Sequence, residues 1–348
     1  MATSLVTEIE SRSFITKLQK LVFSSSDDYS DIEISCDGIT VLSERYVPDA
    51  DGNITLYDIA ALLTPYLIAS LVSDVSISWT TAGSPVASPT TFKAIYTSAV
   101  IQETSYDFYT THFLTHCAEK VTALGRKEVV YFYVDIPTTP RCTAYYSDGT
   151  STTQDYPQTF SDVDTIAMLE VSPKNFVAQG KTLTGYRIGA GYRVMDFTVT
   201  PAVPTAPALL FRNSFGCEET IYCVGTQQLD PKYTYTAAAV EDKYRNVGVE
   251  EVKNFAAYTG VLTVAMSNWA DDLFRSTSIY LFTVNQQTGV LTRGREVTIT
   301  EAKSLRSNDA DFLPNFYFEY RYSQNNHNIF DKTVAGRIFD DTFDYTFE

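Results

Sequence analysis

Apolar and polar positions alternate with a period of two along most of the chain, the spacing of half-buried strands. In 31–35, Ile32 and Ile34 face one way between polar neighbours, and Asp37-Gly38 then turns the chain into 39–46. The same reading predicts strands at 75–80, 91–96, 128–134, 142–146, 152–156, 165–171, 182–188 and 192–200. It predicts further strands at 208–211, 220–224, 233–238, 252–257, 260–263, 278–283, 296–300 and 315–322. Asp148-Gly149 marks a hairpin between 142–146 and 152–156, and Gly125-Arg126 reads as a second hairpin, from Val121 into 128–134.

Two stretches change period. Ile59, Leu62, Leu63, Tyr66 and Leu67 recur at helical spacing from Leu56 onward, with Pro65 expected to end or kink the helix. A second helix is predicted over 266–274, with Trp269, Leu273 and Phe274 on its apolar side. Residues 4–19 fit a short helix or an entering strand. Three prolines in 201–207 predict an extended, semi-rigid connector. That connector divides 101–205, a middle β domain, from 206–348, and 1–100 forms an N-terminal unit. Gly52-Asn-Ile-Thr55, a helix and Ser73–Ile77 mirror Gly260-Val-Leu-Thr263, a helix and Ser276–Ile279, so the first and last units are expected to share one plan.

Composition sharpens this into a fold class. The 348 residues include 24 Tyr and 21 Phe, set among Thr, Ser and Val, types that pack well on a pleated surface. The expected fold is all-β with two short helices, as tandem antiparallel β-sandwich-like domains. A formal net charge of -16 with no basic stripe argues against nucleic acid as a partner and for solubility. Residues 1–12 are polar and predict no secretory signal; the longest apolar run, 59–72, is broken by Thr64-Pro65 and predicts no membrane insertion. Production in a cytoplasm follows. Five cysteines (Cys36, Cys117, Cys142, Cys217, Cys223) without CxxC spacing are expected as free thiols.

Candidate chemistry is thin. Residues 47–58 place Asp49, Asp51 and Gly52 as a calcium loop would, but Val47 stands at the first ligand position, so a plain turn is the better reading. His112, His116 and Cys117 have zinc-like spacing on a helix, but their neighbours predict strand or loop. Cys217 and Cys223 flank what reads as a hairpin and could lie close together; structural thiols are favoured over a redox pair. The remaining histidine, His327, sits in no nucleophile motif, and the pairs Glu250-Glu251, Asp271-Asp272 and Asp340-Asp341 are adjacent only in sequence. Gly189-Ala-Gly191-Tyr192 is a turn between strands, and Trp79 and Trp269 are expected in cores. The expectation is a non-enzymatic protein without cofactor, metal or catalytic residues. The tail 340–348 alternates Phe343, Tyr345 and Phe347, as an edge strand or an arm laid on a neighbouring subunit would.

A resemblance adds a role. Leu210-Phe-Arg-Asn213-Ser-Phe-Gly216-Cys-Glu218-Glu-Thr-Ile-Tyr222-Cys-Val-Gly225 is its centre, with Phe211 where many relatives carry Trp. Around it, in order, stand Tyr46-Val-Pro-Asp49-Ala-Asp-Gly52-Asn-Ile54, Thr91-Phe-Lys-Ala-Ile-Tyr96, Phe113-Leu-Thr115, Glu128-Val-Val-Tyr-Phe-Tyr133 and Phe316-Tyr-Phe-Glu-Tyr-Arg321-Tyr. The series resembles virion-associated proteins of phages and prophages of gut Bacteroidota, of the tail, baseplate or fibre-adaptor kind. The resemblance implies a structural part assembled in the host cytoplasm and built into the tail region of a virion. Its implied partners are other virion proteins and copies of itself. The alternative is a receptor-binding protein that recognises a host-surface glycan.

Overall fold

The computed structural model describes residues 3–81, 83–85, 88–307, 309 and 312–324. His327, Asp340-Asp341 and the alternating tail lie outside the described residues. The chain folds as an all-β protein of sandwich-like sheets, and among the described residues five sheets and three α-helices form.

In the N-terminal part a small sheet of Ser4–Leu5, Lys20–Ser24 and Asn53–Tyr57 faces a larger one. The larger sheet orders Arg12–Phe14, Thr90–Ile95, Val72–Thr81, Ser30–Cys36 and Ile39–Tyr46. Alternation explains the layer between them: Leu21, Phe23, Ile54 and Leu56 point inward from one sheet, Ile32, Ile34, Val75 and Ile77 from the other. Each such side chain contributes about 1.5–3 kcal/mol on burial. Ambiguous residues 4–19 resolve into two short strands and a 3₁₀ turn, Ile15–Lys17.

Helix α1 (Ile59–Ser70) runs straight through Pro65 rather than ending there. Ile59, Leu63 and Leu67 are buried in the same core on both sides of the proline, and that burial outweighs one lost backbone bond. Helix α2 (Ser105–Thr111) was not expected. Thr104 caps it by accepting from the Asp107 N–H, the Thr-x-x-acid arrangement that the sequence carried as its only signal. Helix α3 (Val264–Arg275) lies where helical spacing placed it. The residues before it, 260–263, are irregular with a bend at Val261 instead of the expected strand, and the Leu262 N–H donates to the Pro314 carbonyl. The strand-helix-strand parallel with the N-terminal part therefore holds only from the helix onward.

The Asp148-Gly149 hairpin forms in register, Cys142 opposite Gln154 and Tyr145 opposite Ser151. The hairpin expected at Gly125 does not form. Glu119–Ala123 pairs in parallel with Arg193–Thr200, and Val129–Val134 pairs antiparallel with Thr165–Glu170 in a separate two-stranded sheet. The turn at Gly125 (φ 86°) carries the chain from one layer to another, and the side chains of Lys120 and Thr122 bind Glu128 across the gap.

The five-stranded sheet of the middle part ends in Ser151–Asp155, and a seven-stranded sheet runs from Glu218–Tyr222 to Gln227–Val240. One continuous core reaches from Phe113 to Tyr320 and takes side chains from both sheets, the two-stranded sheet and α3. A smaller cluster of Phe14, Ile95, Tyr109, Leu114, Tyr133 and Phe215 ties the N-terminal sheets to that core.

Candidate functional site

The segment that carries the resemblance builds a junction. Ala208–Arg212 turns through 213–216 into Glu218–Tyr222. Asn213 holds the turn: its Oδ1 accepts from the N–H groups of Phe215 (2.9 Å) and Cys217 (3.0 Å). Its Nδ2 donates to the Leu114 carbonyl and to Glu219, both at 2.8 Å. Gly216 has φ +76°, and a Cβ there would run into the side chains of Leu71 and Tyr96, so glycine suits this turn where it seats against the N-terminal part. Phe215 fills the space between Phe14, Phe108 and His116.

Buried charges below the turn are bound internally. Glu219 is buried and accepts from Trp269 Nε1 and Asn213; burial pushes its carboxyl pKa up, against the pull of Lys120. Lys120 donates to Glu128 (2.6 Å) and to the Thr220 carbonyl (2.7 Å). Arg193, 2% exposed, donates to the carbonyls of Tyr109, Ala190 and Tyr133 and to Asp135. Such satisfied groups fix one arrangement of the layers.

The candidate chemical residues do not converge. Ser214 Oγ donates to Asp272 (2.5 Å), and His116 lies 3.7 Å from the other oxygen of the same carboxylate. A nucleophile requires the imidazole against the hydroxyl, and here the carboxylate stands between them. His112 stacks on Phe108 (4.9 Å) at the end of α2, apart from His116, and Cys117 donates its thiol to the Glu119 carbonyl. Among the described residues no three His, Cys, Asp or Glu side chains gather as metal ligands would. In the calcium-like segment Asp49 accepts from the N–H groups of Asp51 and Asn53, a turn.

Cys217 and Cys223 sit at opposite ends of the strand Glu218–Tyr222 rather than around a hairpin, about 20 Å apart at strand rise. That separation is beyond disulfide reach. Burial pushes the Cys117, Cys142 and Cys223 thiols up to about 12, away from reactivity. Trp79 and Trp269 are both buried, Trp79 donating to the Thr3 carbonyl.

The surface feature that sequence reading missed is a long hairpin. Gln227–Val240 and Lys243–Tyr258 pair along their whole length, where two short separate strands were expected. Among the described residues, only 254–258 has a further neighbour, Tyr317–Tyr322. Residues 243–253 therefore run past the sheet for about 35 Å, supported by one strand alone. The register sorts the ribbon into two faces. Tyr233, Tyr235, Ala239, Tyr244 and Val249 share one, together with Glu251 and Lys253; Lys232, Thr234, Thr236, Lys243, Arg245 and Glu250 share the other with Val240 and Val252. The tyrosine face is open: Tyr233 is 50%, Tyr235 59% and Tyr244 85% exposed. Tyr233 and Tyr235 stack on each other, ring centroids 6.5 Å apart.

No helix among the described residues is long and apolar enough to cross a membrane. No family model matches the chain. No curated protein matches it. Among solved structures, a chain from work on host cell surface retention of a 1.5-MDa bacterial ice-binding adhesin is matched over 82% of this chain and 91% of that one. The identity is 10% and the TM-score 0.15, too low for a shared fold to be inferred.

Proposed function

We propose that the chain is a non-enzymatic structural component of a phage virion, in the tail or baseplate region, and that it acts through protein–protein contacts. The hairpin carries this reading. A two-stranded ribbon is marginal in water by itself, and this one exposes Tyr233, Tyr235, Tyr244 and Val249 on one face. Tyrosine is enriched at interface cores because it offers a large rigid area and a polar tip. A tyrosine-bearing ribbon clear of the body is suited to lie on a neighbouring subunit, another virion protein or a second copy. The resemblance around Asn213 and Gly216 supplies the setting: assembly in a host cytoplasm, then incorporation in a tail.

Gold-labelled antibody on particles from an induced lysate tests the reading, alongside a chain in which residues 235–249 are replaced by Asn-Gly. Labelled tails with the intact chain and bare tails with the trimmed one are expected. Bare particles with both overturn the structural role. A label confined to the distal tip that trimming leaves unchanged moves the chain to glycan adhesion.

A further inference from the structure

Arg126 is a half-buried charge with no carboxylate partner among the described residues. It lines a concave pocket of about 480 Å³ at the turn that carries the chain between layers, with the connector residues 202–205 forming the opposite wall. Its guanidinium makes no hydrogen bond or ion pair with any described residue, although the sequence holds 42 Asp and Glu residues. Lys120 pairs with Glu128, Arg193 with Asp135 and Arg12 with Asp164, while the half-buried Arg212 guanidinium donates to the Ile68 carbonyl at 3.4 Å. Glu128, the carboxylate nearest in effect, is already bound by Lys120 and Thr122. No other lining residue is charged.

The guanidinium is also oriented. Its carbon lies 4.9 Å over the Tyr222 ring, so one face is stacked and the in-plane N–H groups remain unused. The platform is rigid. Tyr222 Oη accepts from the Lys127 N–H (2.7 Å) and donates to the Lys127 carbonyl (3.1 Å), and its ring meets Phe282 edge-on at 5.2 Å. Gln286 donates to the Gly125 carbonyl (3.3 Å) and pins the loop that presents the arginine. Partial desolvation strengthens whatever anion the guanidinium meets, and a planar fork of donors matches a carboxylate better than a tetrahedral anion.

We propose that the Arg126 pocket binds a small ligand through a carboxylate, with an uncharged body of sugar size lying against Thr205, Thr283 and Gln286. Acidic monosaccharides are the class that combines these features. A single charged contact and this size place affinity on the order of 1 mM. The site is independent of the hairpin and of the part it plays.

Saturation-transfer NMR and titration calorimetry on the full chain test it, with D-glucuronate as probe, D-glucose as its neutral counterpart and sulfate as the tetrahedral anion. Glucuronate is expected to bind saturably and glucose not, with at least tenfold weaker binding in both Arg126→Ala and Arg126→Lys. The lysine variant keeps the charge and removes the fork, and circular dichroism confirms that both fold. Equal binding of glucose, tighter binding of sulfate, glucuronate binding unchanged in Arg126→Ala, or no binding at 10-fold above about 1 mM each overturns the proposal.

Discussion

Glu219 shows what single residues do here and how much of it the sequence displays. By period two, Cys217, Glu219, Ile221 and Cys223 share one face of their strand, and all four are buried. The parity was legible, but Glu218-Glu219 resembles an exposed acidic pair, and nothing local shows that Trp269 and Thr115 arrive from two other segments to join Asn213 of the preceding turn in donating to it. Burial raises the carboxyl pKa in the fold. A raised folded value means that the group adds stability below its unfolded pKa of about 4.3, and that this contribution is lost as pH rises through the folded value. Glu219→Gln carries no such proton linkage. Its stability relative to the native chain is therefore expected to improve between pH 4.5 and pH 8, read from urea midpoints at the two pH values. Parallel shifts of both chains would show that the carboxylate is ionised at no net cost.

At the scale of elements, strand existence was readable and strand partnership was not. Alternation located Val129–Val134, but its burial on both faces, with Val130, Phe132, Tyr133 and Val134 all enclosed, demanded a layer of its own and broke the expected pairing at Gly125. The long hairpin was hidden for another reason. Pro231 interrupts the pattern, though an edge strand tolerates it, and the tip is Glu241-Asp242 rather than a strong turn pair. Both tip residues have positive φ, 51° and 61°, the backbone of a type I′ turn that favours Asn-Gly. Each L-residue there costs about 1 kcal/mol. Glu241→Asn with Asp242→Gly is expected to slow amide exchange in 236–246 by roughly fivefold, about 1 kcal/mol of local stability, while the melting temperature of the body stays put. Unchanged exchange would mean that the tip is already relaxed.

For the whole molecule, the question is what folds as a unit. The connector at 201–207 reads as a boundary in the sequence because prolines stiffen it and nothing apolar crosses it locally. Contacts made on either side tell a different physical story. Val121 N–H meets Met266 Sδ, Lys120 donates to the Thr220 carbonyl, and Lys127 N–H donates to Tyr222 Oη, all from the middle part to the last. The core that includes Phe132, Tyr186 and Phe197 is the same one that includes Phe211, Trp269 and Phe318. A cut at the connector would expose that apolar surface and strand the Lys120–Glu128 pair at a new boundary, and uncovered core at this scale prevents cooperative folding. Residues 1–100 keep their own core from Ile15 to Ala94 and lose chiefly the neighbours of Phe14 and Ile95. Expressed separately, 101–205 is expected to give collapsed amide NMR spectra and no cooperative urea transition, whereas 101–324 gives dispersed spectra and a single transition. Dispersed peaks from 101–205 alone would make the connector a true domain boundary and the shared core a contact between finished units.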